Sequence, residues 1–93
     1  MFTVVYHRLV VSLDIPKIPK KWKEKVRRSV ETRLTSHPDL YGKPLRRSLK
    51  GYRKLRVGDY RVIFKIKGNM VTILLIQHRS VVYKEINKRN KTE

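Results

Sequence analysis

The chain has no cysteine, which excludes a disulfide framework and any thiolate metal site and fits the reducing interior of a cell. It is poor in acid: 7 Asp and Glu stand against 24 Lys and Arg, a formal net charge of +17. Long hydrophobic runs are missing too. The longest, MVTILLI at residues 70–76, falls far short of the ~20 residues that cross a bilayer. The stretch MFTVVYHRLVV carries no basic leader and no small-residue cleavage site, so no secretory signal is expected. His7, His37 and His78 are scattered, with no carboxylate cluster nearby, so no metal centre is expected. No repeat or low-complexity tract divides the 93 residues. These absences predict one soluble, cytoplasmic domain over residues 1–93, with a basic tail over about 88–93 and neither cofactor nor membrane partner.

What is present is positive charge. An excess of this size favours polyanionic partners, and its distribution is uneven: from Lys43 to Lys67 there are ten basic residues and one acid, Asp59.

The element pattern is mixed. FTVVY (2–6) is β-branched and aromatic, as a strand requires. HRLVVSLD predicts a short helix halted by the prolines of IPKIP. Ile18, Trp22, Val26, Val30 and Leu34 recur every four residues and predict a helix from about Lys20 to Ser36, its apolar stripe on a sheet and Trp22 an anchor. Glu24 can support Arg28 at the i,i+4 spacing. SHPDLYGKP (36–44) reads as a loop. Two linked hairpins and a short C-terminal helix complete a β-α-α-β-β-β-α order. The expectation is an α+β fold with an antiparallel, roughly four-stranded sheet, two N-terminal helices on one face and a short C-terminal helix.

Gly58-Asp59 is a two-residue hairpin connector. It sets Val57 opposite Tyr60, Arg56 opposite Arg61, Leu55 opposite Val62 and Lys54 opposite Ile63. Alternation then sends Leu55, Val57, Tyr60, Val62, Phe64 and Ile66 to the core, and Tyr52, Lys54, Arg56, Arg61, Ile63 and Lys65 to the other face. A second turn at Gly68-Asn69 places Val71, Ile73 and Leu75 on the core face, and Thr72, Leu74, Ile76 and His78 on the basic face. Because residues 70–77 are apolar on both sides, that strand is expected to be central and covered on both. Arg56 across from Arg61 is an unfavourable like-charge pair. With Ile63, Leu74 and Ile76 exposed among the cations, this face is expected to be a partly apolar, cationic concavity suited to a phosphate backbone and stackable bases.

The block KPLRRSLKGYRKLRVGDYRVIFKI, followed by VTILLIQHRSVVY, resembles the RelE/ParE superfamily of bacterial and archaeal toxins, and most of the chain follows that family's order. The resemblance implies a small α+β fold and a cognate antitoxin protein as partner. RelE-type members cleave messenger RNA in the ribosomal decoding site; ParE-type members inhibit DNA gyrase. Lys54, Arg56, Arg61 and Arg79 stand where the RelE-type pattern has basic residues, and Tyr83 stands in the place of a stacking tyrosine. Tyr52 departs from members that carry a lysine there, and the interval from Arg79 to Tyr83 is short. Strict alternation points Arg79 to the core face, so it reaches the cleft only if its strand bends or ends by Gln77.

RNA supplies its own nucleophile, the 2′-hydroxyl, so cleavage needs a base, stabilisation of the phosphorane and help for the leaving oxygen. The expected roles are Lys54 as general base, its charged form disfavoured by Arg56 and Arg61; Arg61 on the scissile phosphate, with Arg56 assisting; Arg79 as charge stabiliser near the leaving oxygen; and Tyr83 as a base-stacking ring. Lys50, Arg53 and Lys65 are further phosphate-binding candidates, and His78 is a spare acid or base. The expected activity is that of a metal-independent, ribosome-dependent endoribonuclease, with ribosome and messenger RNA as partners. An acidic or amphipathic antitoxin segment laid over the same face is the expected off switch. A gyrase inhibitor and a non-catalytic RNA- or ribosome-binding module are the alternatives.

Overall fold

The computed structural model describes residues 1–45 and 51–92, the side chains of 90–92 excepted. FTVVY supplies strand β1 (Thr3–Tyr6). The chain then winds through a π turn at Val10–Asp14 and a 3₁₀ turn at Ile15–Lys17. Pro16 does not halt this winding, because a proline in a first turn gives up only an N–H that has no partner there. The winding ends at Ile18, which is extended.

Helix α1 (Lys20–Ser29) starts after the extended Pro19 and runs on as a π turn, Val30–Leu34. A strict four-residue repeat gains about 40° per step on a 3.6-residue helix. The wider π turn turns the stripe back, so that Ile18, Val26, Val30 and Leu34 are all buried. On its exposed side Arg27 bridges Glu24 and Glu31, and the expected Glu24–Arg28 pair is the longer contact at 3.8 Å. The segment read as a loop holds a four-residue helix, α2 (Pro38–Tyr41), and a two-residue strand, β2 (Lys43–Pro44).

Strands β3 (Arg53–Val57), β4 (Tyr60–Lys67) and β5 (Met70–His78) form the two hairpins, and α3 (Val82–Thr92) closes the chain. The sheet has five strands in the order β1-β5-β4-β3-β2, not about four, and it is mixed rather than antiparallel, since β1 runs parallel to β5. Thr3 and His7 donate their backbone N–H groups to the carbonyls of Asn69 and Ile73. The most apolar strand, β5, thereby gains a neighbour on each side and becomes interior.

Both faces of the sheet are covered. On one, the N-terminal turns and α1 bury Val10, Ile18, Val26, Val30 and Leu34 against Leu55, Val57, Val62, Phe64, Val71, Ile73 and Ile76. On the other, Val82 and Ile86 of α3 pack on Tyr52, Ile63 and Leu75, with Leu45 and Leu74 at the margin. The premise that Ile63 and Ile76 are exposed therefore fails: they are 1% and 2% accessible.

The Gly58-Asp59 register is as expected, from Val57 opposite Tyr60 to Lys54 opposite Ile63. In the second hairpin a bulge intervenes: Ile63 pairs with Leu75 and Phe64 with Ile73, leaving Leu74 over. An extra residue reverses the alternation beyond it. Leu75 therefore joins the α3 face and Ile76 the α1 face, the reverse of simple alternation.

Candidate nucleic-acid interface

Helix α3 covers only part of its face of the sheet. Over β2, β3 and β4 a groove of about 220 Å³ remains, lined by Tyr41, Lys43, Lys54, Arg56 and Arg61. Its cations are set by register: Lys43 is opposite Lys54 and Arg56 is opposite Arg61. No carboxylate lines it, and among the described residues none of these four cations is in an ion pair. Like charges so placed repel one another, and an anion entering the groove relieves that repulsion.

Each site residue is held differently. Lys54 Nζ donates to Tyr83 Oη at 2.8 Å and lies 5.5 Å from the centre of that ring. Arg61 donates to the turn carbonyls of Gly58 and Tyr60 at 2.8 and 2.9 Å, which fixes the guanidinium at one end of the groove. Arg56 is exposed. Tyr83 sits in the first turn of α3 and is 43% accessible, so its ring is available to a ligand. Lys65 lies on the Tyr52 ring at 4.4 Å, beside the groove rather than in its lining.

Three candidates lie elsewhere. Arg53 has the opposite strand parity to Lys54 and donates to the carbonyls of Gly42, at 2.8 Å, and Asp39; it ties α2 to the sheet and is not in the groove. The bulge turns His78 toward α1, where its ring meets Tyr60 edge-on, and Tyr60 in turn packs on Trp22. His78 is thus not on the face of Lys54, contrary to simple alternation. Arg79 lies outside the groove lining: its backbone N–H bonds the Asp59 carbonyl, and its guanidinium stands 3.5 Å from the Asp59 carboxylate. Lys50 lies outside the described residues.

Two lining residues, Tyr41 and Lys43, escaped the sequence reading because α2 was not recognised. A signal was there in Pro38, which suits a first helical turn, and in Gly42 after it. Gly42 lies so close to Phe64 that a β-carbon would collide with the ring. This close approach seats α2 on the sheet and brings Tyr41 to the groove.

Comparison with known proteins agrees with this architecture. Residues 6–83 match the family model described as the ParE toxin of the type II toxin–antitoxin system parDE. The chain is 36% identical over 73 residues to the toxin RelE of Mycobacterium tuberculosis, covering 76% of this chain and 75% of that one. It is 34% identical to the toxin RelG of the same organism, covering 76% and 84%. Among solved structures, it resembles one in the RelBE2 toxin–antitoxin complex of M. tuberculosis with a TM-score of 0.78 at 32% identity, covering 83% of this chain and 96% of the other. The likeness to the RelB–RelE complex of Methanococcus jannaschii, with a TM-score of 0.69 at 18% identity over 87% and 96% of the two chains, shows the shared fold. A mixed sheet between N-terminal helices and a C-terminal helix, with a family match spanning most of its length, makes this chain a member of the RelE/ParE family of type II toxin–antitoxin toxins.

Proposed function

We propose that this toxin is an endoribonuclease that cleaves messenger RNA in the ribosomal A site by attack of a 2′-hydroxyl on the adjacent phosphate. The observation that supports this reading most is the acid-free groove in which Lys54, Arg56 and Arg61 share one face and the Lys54 ammonium meets the Tyr83 hydroxyl. Lys54 serves as general base in its neutral amine form: it takes the 2′-hydroxyl proton and becomes the ammonium. The 2′-oxygen bonds to phosphorus, and the bond from phosphorus to the 5′-oxygen breaks, that oxygen taking its proton from water. Arg61, held by the Gly58 and Tyr60 carbonyls, takes the charge that builds on the phosphorane, a task suited to a fixed cation, and the exposed Arg56 assists. Arg79, outside the groove lining and 3.5 Å from the Asp59 carboxylate in the free chain, serves the departing 5′-oxygen once it swings away from Asp59, as a charge stabiliser rather than a proton donor. Tyr83, at the edge of the groove beside Lys54, stacks on a neighbouring base, and Tyr41, its ring met by the Arg33 guanidinium, lines the groove. The chemistry calls for no metal, because the nucleophile is internal to the substrate.

A cognate antitoxin is the protein partner in this reading, as it is for the relatives solved as toxin–antitoxin complexes. With Ile63 and Ile76 covered, the antitoxin finds charge rather than a greasy floor in the groove, and an acidic segment suits it best. Gyrase inhibition stays as the second reading because the matching family model is named for ParE.

Inducible expression with sequencing of messenger 5′ ends tests both, comparing the intact chain with Lys54→Ala. New in-frame ends for the intact chain, lost in a Lys54→Ala protein whose circular dichroism is unchanged, are the expected result. Undiminished cleavage by that variant removes Lys54 as the base. DNA-damage signalling without new ends moves the toxin to the gyrase branch, and growth arrest with neither leaves an RNA- or ribosome-binding module.

A further inference from the structure

Asp14 is one of only 7 acidic residues in a chain of net charge +17, and it is the one charged side chain buried among the described residues, at 1% accessibility. It lies at the end of the π turn Val10–Asp14, beside the part of β5 that extends past β1. There its carboxylate does the work of an absent strand partner, accepting the Ile76 N–H at 2.9 Å and the Gln77 side-chain amide. Arg89 of α3 grips the same carboxylate with both guanidinium nitrogens, at 2.6 and 2.7 Å. It also donates to the carbonyl of Leu74, the bulged residue, at 3.2 Å. One carboxylate thus ties together the N-terminal turns, the bulge in β5 and α3.

Helix α3 depends on such a tie. Eleven residues are too few for a helix to persist alone in water. Its apolar hold on the sheet among the described side chains is Val82 and Ile86, and Arg89 extends that stripe by a further turn. Tyr83 stands six residues before Arg89 on the same helix, about 9 Å along the axis. Its hydroxyl receives the Lys54 ammonium, so the position of the phenol over the groove follows the seating of the helix. Lys54 itself sits on β3 and does not touch Asp14.

We propose that Asp14 is a positioning residue for the groove: through its fork with Arg89 it seats α3 on the sheet and so holds the Tyr83 hydroxyl against Lys54. The pair is bidentate and desolvated, the geometry that Arg forms and Lys cannot reproduce. Asp14→Asn withdraws the carboxylate that both guanidinium nitrogens meet, and with that fork gone the last turns of α3 are held less firmly to β5 and the N-terminal turns. The catalytic half of the proposal rests on the ribonuclease reading above; the seating of α3 does not.

The full chain with Asp14→Asn, Tyr83→Ala and both substitutions tests it. Amide hydrogen exchange should quicken at least tenfold in α3 of Asp14→Asn, with the amides of β3 and β4 unmoved. On ribosomes programmed with messenger, kcat should fall about tenfold with KM little changed, and Asp14→Asn should add no further loss in the Tyr83→Ala background, which lacks both the ring and the hydroxyl. Unaltered α3 exchange overturns the proposal. So does an Asp14→Asn loss that persists in full beside Tyr83→Ala, as damage to the fold in general would produce. If the intact chain cleaves no messenger, the ribonuclease reading falls by itself. The carbon-13 ring resonance of Tyr83 then decides: a shift in Asp14→Asn upholds the seating of Tyr83, and an unmoved resonance overturns it. Should Asp14→Asn fail to fold, Arg89→Lys, which keeps the charge and loses the fork, goes through the same measurements and should shift them in the same direction by less.

Discussion

Arg53 gives its guanidinium to the carbonyl of Gly42, while Lys54, one position on, turns to the opposite face of β3 and reaches Tyr83. Two adjacent cations thus have separate tasks, and substitution should separate them. Arg53→Gln removes a charged hydrogen bond that holds α2 down, so urea denaturation should show a loss of about 1–2 kcal/mol, with the salt dependence of RNA binding unchanged. Lys54→Gln should leave stability within about 0.5 kcal/mol and abolish messenger cleavage. Gly58, like Gly42, has no room for a β-carbon. Its φ is +57° and a β-carbon would run into the Trp22 ring. Gly58→Ala therefore combines left-handed backbone strain with overpacking and should cost about 2–4 kcal/mol. A red shift of Trp22 emission should accompany it, since the indole, carried by α1, packs directly on that turn.

At the level of elements, α3 is the piece that turns a half-open sheet into a two-sided core. Ile86 is 2% accessible and packs with Val82 on Tyr52, Ile63 and Leu75. Ile86→Ala should therefore lower stability by about 2–4 kcal/mol, measured as a shift of the urea midpoint with an unchanged slope. How much of this was legible follows from what each element displays. The first hairpin was readable residue by residue, because a two-residue Gly-Asp turn leaves one register and the flanking residues alternate cleanly. The second was readable only to Ile73. Leu74, Leu75 and Ile76 are all apolar, so no polar residue marks which face is which, and the bulge that reverses them has no signal in the pattern. That reversal misplaced His78 and Ile76. The strand FTVVY was visible, but its parallel pairing with β5 is a tertiary choice, driven by an apolar strand that needs neighbours on both sides. Helix α2 is four residues long, too short for periodicity to register, and Tyr41 was lost with it. Lys54, Arg56 and Arg61 were found together because strand parity alone decides where they lie.

For the molecule as a whole, the arrangement of layers explains how a chain of net charge +17 keeps cations concentrated without losing its core. The N-terminal helices cover one face of the sheet and α3 covers part of the other, so the uncovered area over β2, β3 and β4 is where uncompensated charge comes to rest. Self-repulsion there is a cost in the free protein that a bound polyanion would remove; in the proposed reading that polyanion is RNA, whose condensed counterions are released as the groove cations neutralise its phosphates. Affinity for single-stranded RNA should accordingly fall linearly on a log–log plot against salt, with a slope near 0.7 per phosphate neutralised. Lys43→Gln and Arg56→Gln should each reduce that slope by about 0.7, with losses that add, because both side chains line the groove. Lys88→Gln, on α3 beside Glu85 and outside the groove, should leave the slope unchanged. Fluorescence anisotropy of a labelled oligonucleotide across a salt series measures all three. Equal slopes for the intact chain, Lys43→Gln and Arg56→Gln would remove the groove as the surface that meets RNA.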